Sequence, residues 1–269
     1  LPYELTASQI QSLKDIRSDL EAPHPMNRLL QGDVGSGKTI VAAAGVGITA
    51  DCDAQSAIMA PTSILAEQHF RTLQGILPMA CGIPEERIGV LIGATSEADK
   101  EEIRRKIESG DLLVIIGTHA LLEGPVKFKN LALAVIDEQH RFGVEQRAIL
   151  RDKGNNPNLL VMTATPIPRS LALTIYGDLD LSVIDEMPKG RLPIDTQVFR
   201  PQERTRAHHF LSKQIEQGRQ AFIIYPLVED SEKIQTKAAV EEHERLSKEI
   251  FPQFRLGLLH GRLRPDEKD

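Results

Sequence analysis

Leu29-Leu30-Gln31-Gly32-Asp33-Val34-Gly35-Ser36-Gly37-Lys38-Thr39 leads from two strand-forming apolar residues, through a glycine-rich turn, into residues 39–50, a helical stretch of small and apolar side chains. The complete G-x-x-x-x-G-K-T at its centre decides the fold, because this pattern belongs where a β-strand hands over to an α-helix. Gly32, Gly35 and Gly37 allow the backbone, with Asp33, Val34 and Ser36 between them, to wrap a phosphate chain. The loop N–H groups then point inward at a helix N-terminus, where the dipole also favours negative charge. Lys38 would reach the outer phosphates, and the Thr39 hydroxyl would meet a divalent cation.

On either side of this loop, short apolar runs alternate with longer amphipathic ones. Residues 29–30, 57–59, 88–92, 112–116, 131–136 and 159–162 predict strands, near-continuously apolar as strands covered on both faces should be. Residues 39–50, 63–76, 97–109 and 144–151 predict helices, the third with an acidic first turn and Gly110 just beyond its end. The alternation implies an α/β fold with a doubly wound parallel sheet flanked by helices. A turn-rich segment at 187–193 is the candidate linker, dividing a first domain at 1–188 from a partial second one at 189–269. In the second, 196–199, 221–225 and 256–259 predict strands, and 204–217 and 237–251 predict helices.

Composition narrows the class. With 269 residues, 41% hydrophobic and 26% charged, the chain can bury full cores, and its 16 prolines and 19 glycines are dispersed. Cys52 and Cys81 are far apart with no histidine pair near them, which points to ordinary thiols rather than a zinc site or disulfide. No charged leader with an apolar core opens the sequence, and the longest apolar run, 40–50, is too short to span a bilayer; a cytoplasmic protein without membrane contact is expected. The net charge of −6 argues against a protein that simply coats nucleic acid, but not against one with a local basic track.

The run 131–136 ends in Asp137-Glu138-Gln139-His140. In a parallel sheet the carboxyl ends of the strands face the ligand crevice. Asp137 would therefore meet the cation held by Thr39, while Glu138 could orient and deprotonate an attacking water.

Asp137-Glu138-Gln139-His140 followed by Thr163-Ala164-Thr165-Pro166 resembles motifs II and III of the superfamily 2 helicases. Thr6 and Gln9 resemble the upstream Q motif, in which the glutamine reads the adenine edge. Ala60-Pro61-Thr62-Ser63-Ile64-Leu65-Ala66-Glu67-Gln68-His69 resembles motif Ia, and Gly117-Thr118-His119-Ala120-Leu121 motif Ic. Within the superfamily, 137–147, 162–169 and 259–263 are most similar to the bacterial branch-migration helicases; transcription-repair coupling translocases are the second choice.

The resemblance implies a RecA-like domain followed by the start of a second RecA-like domain. It implies a monomeric motor that uses ATP and Mg²⁺ and acts on branched DNA, meaning forks and Holliday junctions, in repair and recombination. Lys38 and Glu138 would be catalytic, Gln9 and residues 32–39 would bind ATP, and Thr39 and Asp137 would hold Mg²⁺. Thr62 and Thr118 would contact the DNA backbone, with helix capping as the rival role, and His140, Thr163 and Thr165 would couple nucleotide to strand. Arg141, Phe142 and Arg169 lie in the motifs without an assignable role, and His24, His208 and His209 read as surface histidines. Only three tyrosines and no tryptophan favour backbone tracking over base stacking. A nucleotide switch or kinase using the same loop is the alternative of another class, although no Asn-Lys-x-Asp guanine-reading motif occurs.

In these motors a cationic side chain from the second domain reaches the reacting phosphate, a contribution of ~10³–10⁵ in rate. The arginines that do this are expected beyond Asp269, and the family's fork-inserting wedge before Leu1. Residues 1–269 alone should therefore bind ATP but hydrolyse it slowly, with little stimulation by DNA. Comparing ATP turnover of this piece and the full-length protein, with and without forked DNA, checks this; equal stimulation would contradict it.

Overall fold

The structure, a computed structural model, describes residues 4–137, 149–150, 153–154, 156–165, 179–186, 194–225, 232–260 and 263, with the backbone alone for 232–238. The chain divides into two compact units, Leu1–Leu192 and Pro193–Asp269. The expected linker 187–193 and helix residues 144–148 and 151 lie outside the described residues.

The first unit contains strands β1 (Asn27–Gly32), β2 (Gln55–Met59), β3 (Ile88–Leu91), β4 (Val114–Gly117), β5 (Leu131–Asp137), β6 (Asn158–Thr163) and β7 (Asp180–Ile184). They form one sheet in the order β3-β4-β2-β5-β6-β1-β7, parallel throughout. Its helices are α1 (Ala7–Leu20), α2 (Lys38–Asp51), α3 (Ser63–Cys81) and α4 (Glu97–Ser109). The alternation of side chains along each strand separates two apolar layers. Leu30, Ile58, Leu133, Val135, Leu160 and Met162 pack with Ile16 of α1, Val41 of α2 and Leu73 of α3 on one face. Leu29, Met59, Ala134, Ile136 and Val161 pack with Ile107 of α4 on the other.

Two elements of this unit are absent from the expected set. Helix α1 begins with a reciprocal capping box, in which Thr6 Oγ1 accepts from Gln9 N at 3.3 Å and Gln9 Oε1 accepts from Thr6 N at 2.9 Å. Strand β7 pairs with β1 on its open side, Leu29 opposite Leu181. Helix α3 also outlasts its expected end at 76. It carries Pro78 inside its last turns and stops at Gly82, whose φ of 66° is the left-handed conformation that ends helices.

Arg28 fastens α1 to the sheet. On β1, Nε and Nη2 donate to the two oxygens of Asp19 at 2.6 and 3.0 Å, and Nη1 donates to Ser182 Oγ of β7 at 2.9 Å. Ser182 Oγ in turn donates to Asp15 Oδ2 at 2.7 Å. Burial works hardest against the charge, yet the bonds and charge of Asp19, with Asp15 and Asp180, hold the Arg28 pKa above its ordinary value. Gln55, also buried, spans the opposite part of the unit: its amide nitrogen donates to Ile107 O and Leu112 O, and its oxygen accepts from Asn130 N.

In the second unit, α5 (Arg204–Glu216) and α6 (Glu232–Arg245) are helical, with α6 passing into a π-helical turn over Leu246–Ile250. The expected strands at 196–199, 221–225 and 256–259 do not form among the described residues. Val198 is 93% exposed, Phe222 87% and Ile224 86%. Strand propensity expresses packing against neighbouring strands, and these runs form no ladder among the described residues. Tyr225 still donates its hydroxyl to Glu242 at 2.9 Å, and Arg245 binds the same carboxylate, bringing its pKa down to about 2.

Replacing Arg28 by Met keeps most of the packing volume but leaves Asp19 and Asp15 without their cation. Stability measured by urea denaturation should fall by about 3 kcal/mol, the low end for breaking a buried pair on one side. A fall below about 1 kcal/mol would mean that the pair behaves as a surface pair.

Candidate functional site

Sheet order brings the chemistry together. Strand β6 lies between β1 and β5, with Gln31 opposite Thr163 and Asp137 opposite Met162, so the carboxyl ends of β1, β6 and β5 lie side by side. At the usual strand spacing, β1 and β5 are separated by roughly 10 Å. Leu133 and Val135 face α1, α2 and α3, and the alternation carries Asp137 to that same face, the one from which α2 extends.

The loop from Gly32 to Gly37 is held from beneath by α1. Gln9, 5% exposed, donates from Nε2 to Ser36 O at 2.7 Å while its oxygen completes the α1 cap. A side chain at Gly37, where φ is 89°, would bring its Cβ within 2.3 Å of that Gln9 nitrogen. Gly32 is equally restricted: its Cβ would lie 2.5 Å from Ser36 Oγ and 3.1 Å from Ile184 of β7. Asp33, Val34 and Gly35 form the exposed rim, where Asp33 Oδ1 accepts from Val34 N. Lys38 Nζ donates to Gly32 O at 2.7 Å and Asp33 O at 3.0 Å, which places its ammonium across the mouth of the loop. The N-cap of α2 is Gly37, which has no side chain to cap it, and Ile40 N donates to Gly37 O at 3.1 Å.

Asp137 ends β5 half-buried, and its Oδ2 accepts from His69 Nε2 of α3 at 2.8 Å. Thr39, half-buried, is the second residue of α2, immediately after Lys38. A threonine hydroxyl and a carboxylate are the hard oxygen donors that Mg²⁺ selects, and both belong to the loop end of the sheet. Thr163 is buried at the end of β6, where its Oγ1 accepts from Thr165 N at 3.1 Å, while Thr165 is exposed. Glu138, His140, Arg141, Phe142 and Arg169 lie outside the described residues.

The two expected strand contacts differ locally. Thr62 is the N-cap of α3 and accepts from Leu65 N at 3.3 Å; Thr118 precedes a short 3₁₀ turn without capping it. A hydroxyl that accepts a capping bond still has its own hydrogen to donate to a phosphate oxygen. His24 and His209 are exposed, and the His208 ring meets Phe251 edge-on at 5.4 Å.

Two functional features were not foreseen. His69 falls inside the quoted motif Ia segment, and its place three residues after Ala66 and four before Leu73 was a sufficient signal for a position beside the buried face of α3. Glu186, which accepts from Ser8 N at the start of α1, left no pattern to read.

A glycine-rich loop between β1 and α2, with the acidic end of β5 one strand removed, defines a phosphate-loop nucleotide-binding protein. Residues 6–174 match the family described as DEAD/DEAH box helicase, and the chain belongs to that family. It is 50% identical over 269 residues to the ATP-dependent DNA helicase RecG of Synechocystis sp., covering 100% of this chain and 32% of that protein. Over 270 residues it is 50% identical to RecG of Thermotoga maritima, covering 100% of this chain and 34% of that one. The chain thus spans about a third of the length of these relatives. A solved RecG bound to a three-way DNA junction superimposes with a TM-score of 0.79 at 45% identity, over 100% of this chain and 34% of that one. Mss116p bound to ssRNA and AMP-PNP superimposes with 0.69 at 19% identity, over 98% and 56%, a likeness of the RecA-like fold alone. Among the described residues no helix is long and apolar enough to cross a membrane.

Gln9 therefore braces the loop directly, whatever it does toward a base. Gln9→Ala should weaken binding of tripolyphosphate, which has no base, as well as of ATP. Gln9→Glu, which keeps the α1 cap but opposes a carboxylate to Ser36 O, should do the same. Calorimetric titration separates the roles: a loss confined to ATP would assign Gln9 to the base and remove the brace.

Proposed function

We propose that the full-length protein is an ATP-driven DNA helicase or translocase acting on branched DNA, and that residues 1–269 carry its nucleotide site. The observation that carries this reading is the assembly of loop, Lys38 and Asp137 at the carboxyl ends of β1 and β5, on either side of β6, in a chain 45% identical throughout to a RecG solved on a three-way DNA junction. It is proposed to act as a monomer in the cytoplasm, during repair and recombination.

Residues 32–39 bind the phosphates of ATP, and Gln9 serves the loop and the adenine edge from one amide. Lys38 moves from carbonyl partners to the outer phosphates, exchanging neutral acceptors for charged ones, which make hydrogen bonds roughly twice as strong. Thr39 and Asp137 would hold Mg²⁺, which supplies neutralisation of the charge developing on the phosphoryl oxygens. Glu138, next along the chain from Asp137, takes the proton of the attacking water. Thr62 and Thr118 donate to the DNA backbone without reading bases, as positioning contacts do. Thr163, which ends the strand between the two halves of the nucleotide site, acts with Thr165 and His140 to relay the state of the nucleotide.

Lys38→Ala should abolish ATP turnover in a folded protein, because the loop has no second cation. Glu138→Gln should bind ATP normally and lose ~10²–10⁴-fold in turnover, since an amide cannot take the proton. Single-turnover hydrolysis on forked DNA, alongside ATP affinity, tests both variants. Parental turnover by Lys38→Ala would remove the site assignment, and a parental enzyme indifferent to branched DNA would remove the substrate class.

A further inference from the structure

His69 is a half-buried polar side chain of α3 whose bond reaches the proposed metal site. Its Nε2 lies 2.8 Å from Asp137 Oδ2, with the two side chains only 12% and 13% exposed. An ionised carboxylate only accepts hydrogen bonds, so the ring N–H is the donor.

Both ends of this bond are fixed. Asp137 closes β5, opposite Met162 of β6. Helix α3 is anchored by Ala66, Leu73 and Leu77, each at most 1% exposed, and its first turn is capped by Thr62. His69 lies one helical turn from both Ala66 and Leu73, so the packing that seats the helix also sets the reach of the ring. The bond to Oδ2 restricts rotation of the carboxylate about its two side-chain torsions and hence the direction in which Oδ1 points.

We infer that His69 is a positioning residue for the divalent cation of the nucleotide site, orienting Asp137 from helix α3. The inference rests on the reading of Asp137 as the metal carboxylate. Outer partners of metal ligands act by fixing the orientation of the ligating atoms, and their loss commonly weakens metal affinity about 10–100-fold. Nothing in this role requires His69 to touch nucleotide or cation.

The test uses the full-length protein with saturating ADP and Mn²⁺ as a spin-visible cation, titrated by electron paramagnetic resonance. His69→Phe keeps ring volume without the donor and should weaken Mn²⁺ binding about 10–100-fold while leaving ADP affinity without metal unchanged. His69→Gln carries an N–H on a side chain of similar reach and should restore most of the loss. If His69→Phe does not fold, His69→Asn, polar but too short to make the bond, is expected to show the same selective loss. Parental Mn²⁺ affinity in the donorless variants, a parallel fall in metal-free ADP affinity, or failure of His69→Gln to restore binding would each overturn the inference. Asp137→Asn separates this from the reading beneath it. If that variant loses Mn²⁺ while His69→Phe does not, only the role of His69 falls; if Asp137→Asn binds Mn²⁺ as the parent does, both fall.

Discussion

The pairing of β6 between β1 and β5 is the constraint on which the site depends. It sets the end of the loop strand beside the end of Thr163, and the end of Thr163 beside that of Asp137. Since side chains alternate strictly along a strand, a one-residue slip of β5 would turn Asp137 to the α4 face and expose the Val135 side to the wrong layer. Leu133, Val135, Leu160 and Met162, all buried in one layer, therefore hold the carboxylate on the face where α2 begins. The geometry of the candidate site is in this sense a by-product of apolar register.

What the sheet places, the helices of the same face orient. Helix α1 secures the loop through Gln9 and is itself held by Arg28 and by Glu186 at its first turn. Helix α3 approaches the other half of the site, with His69 at Asp137 and, seven residues earlier, Thr62 at its N-cap. At 1.5 Å per residue these two positions are roughly 10 Å apart along one rigid element. A group bound at the start of α3 and a cation bound at Asp137 would thus share a single helix rather than a flexible connection.

The sheet was legible in the sequence wherever burial on both faces produced continuous apolar runs, as in β2, β4 and β5. Helix α4 was legible to the residue, because Ser96 caps its start and Gly110, at a φ of 83°, ends it. Strand β7 was not, since at the sheet edge it alternates exposed and buried positions and opens with an acid. Helix α1 was hidden by a double meaning. Thr6 and Gln9 form the capping box that starts the helix, and the same pair is the motif read for its ligand. The second unit erred the other way, since apolar β-branched runs such as 221–225 carry strand propensity without any ladder among the described residues.

The same double use explains why the site resists a reading by motif alone. Gln9 caps a helix and braces a loop, Thr62 caps a helix and faces the start of α3, and Lys38 donates to the carbonyls of the loop it serves. For Gln9 and Thr62 the structural bond uses only part of the side chain's hydrogen-bonding capacity. Capping and ligand contact are therefore not rival explanations of these residues. A hydroxyl or amide already oriented by a backbone partner has lost its rotational freedom during folding, so binding need not order it again. His69 follows the same logic one step removed from the ligand: seated by the packing of α3, it restricts the carboxylate before any cation arrives.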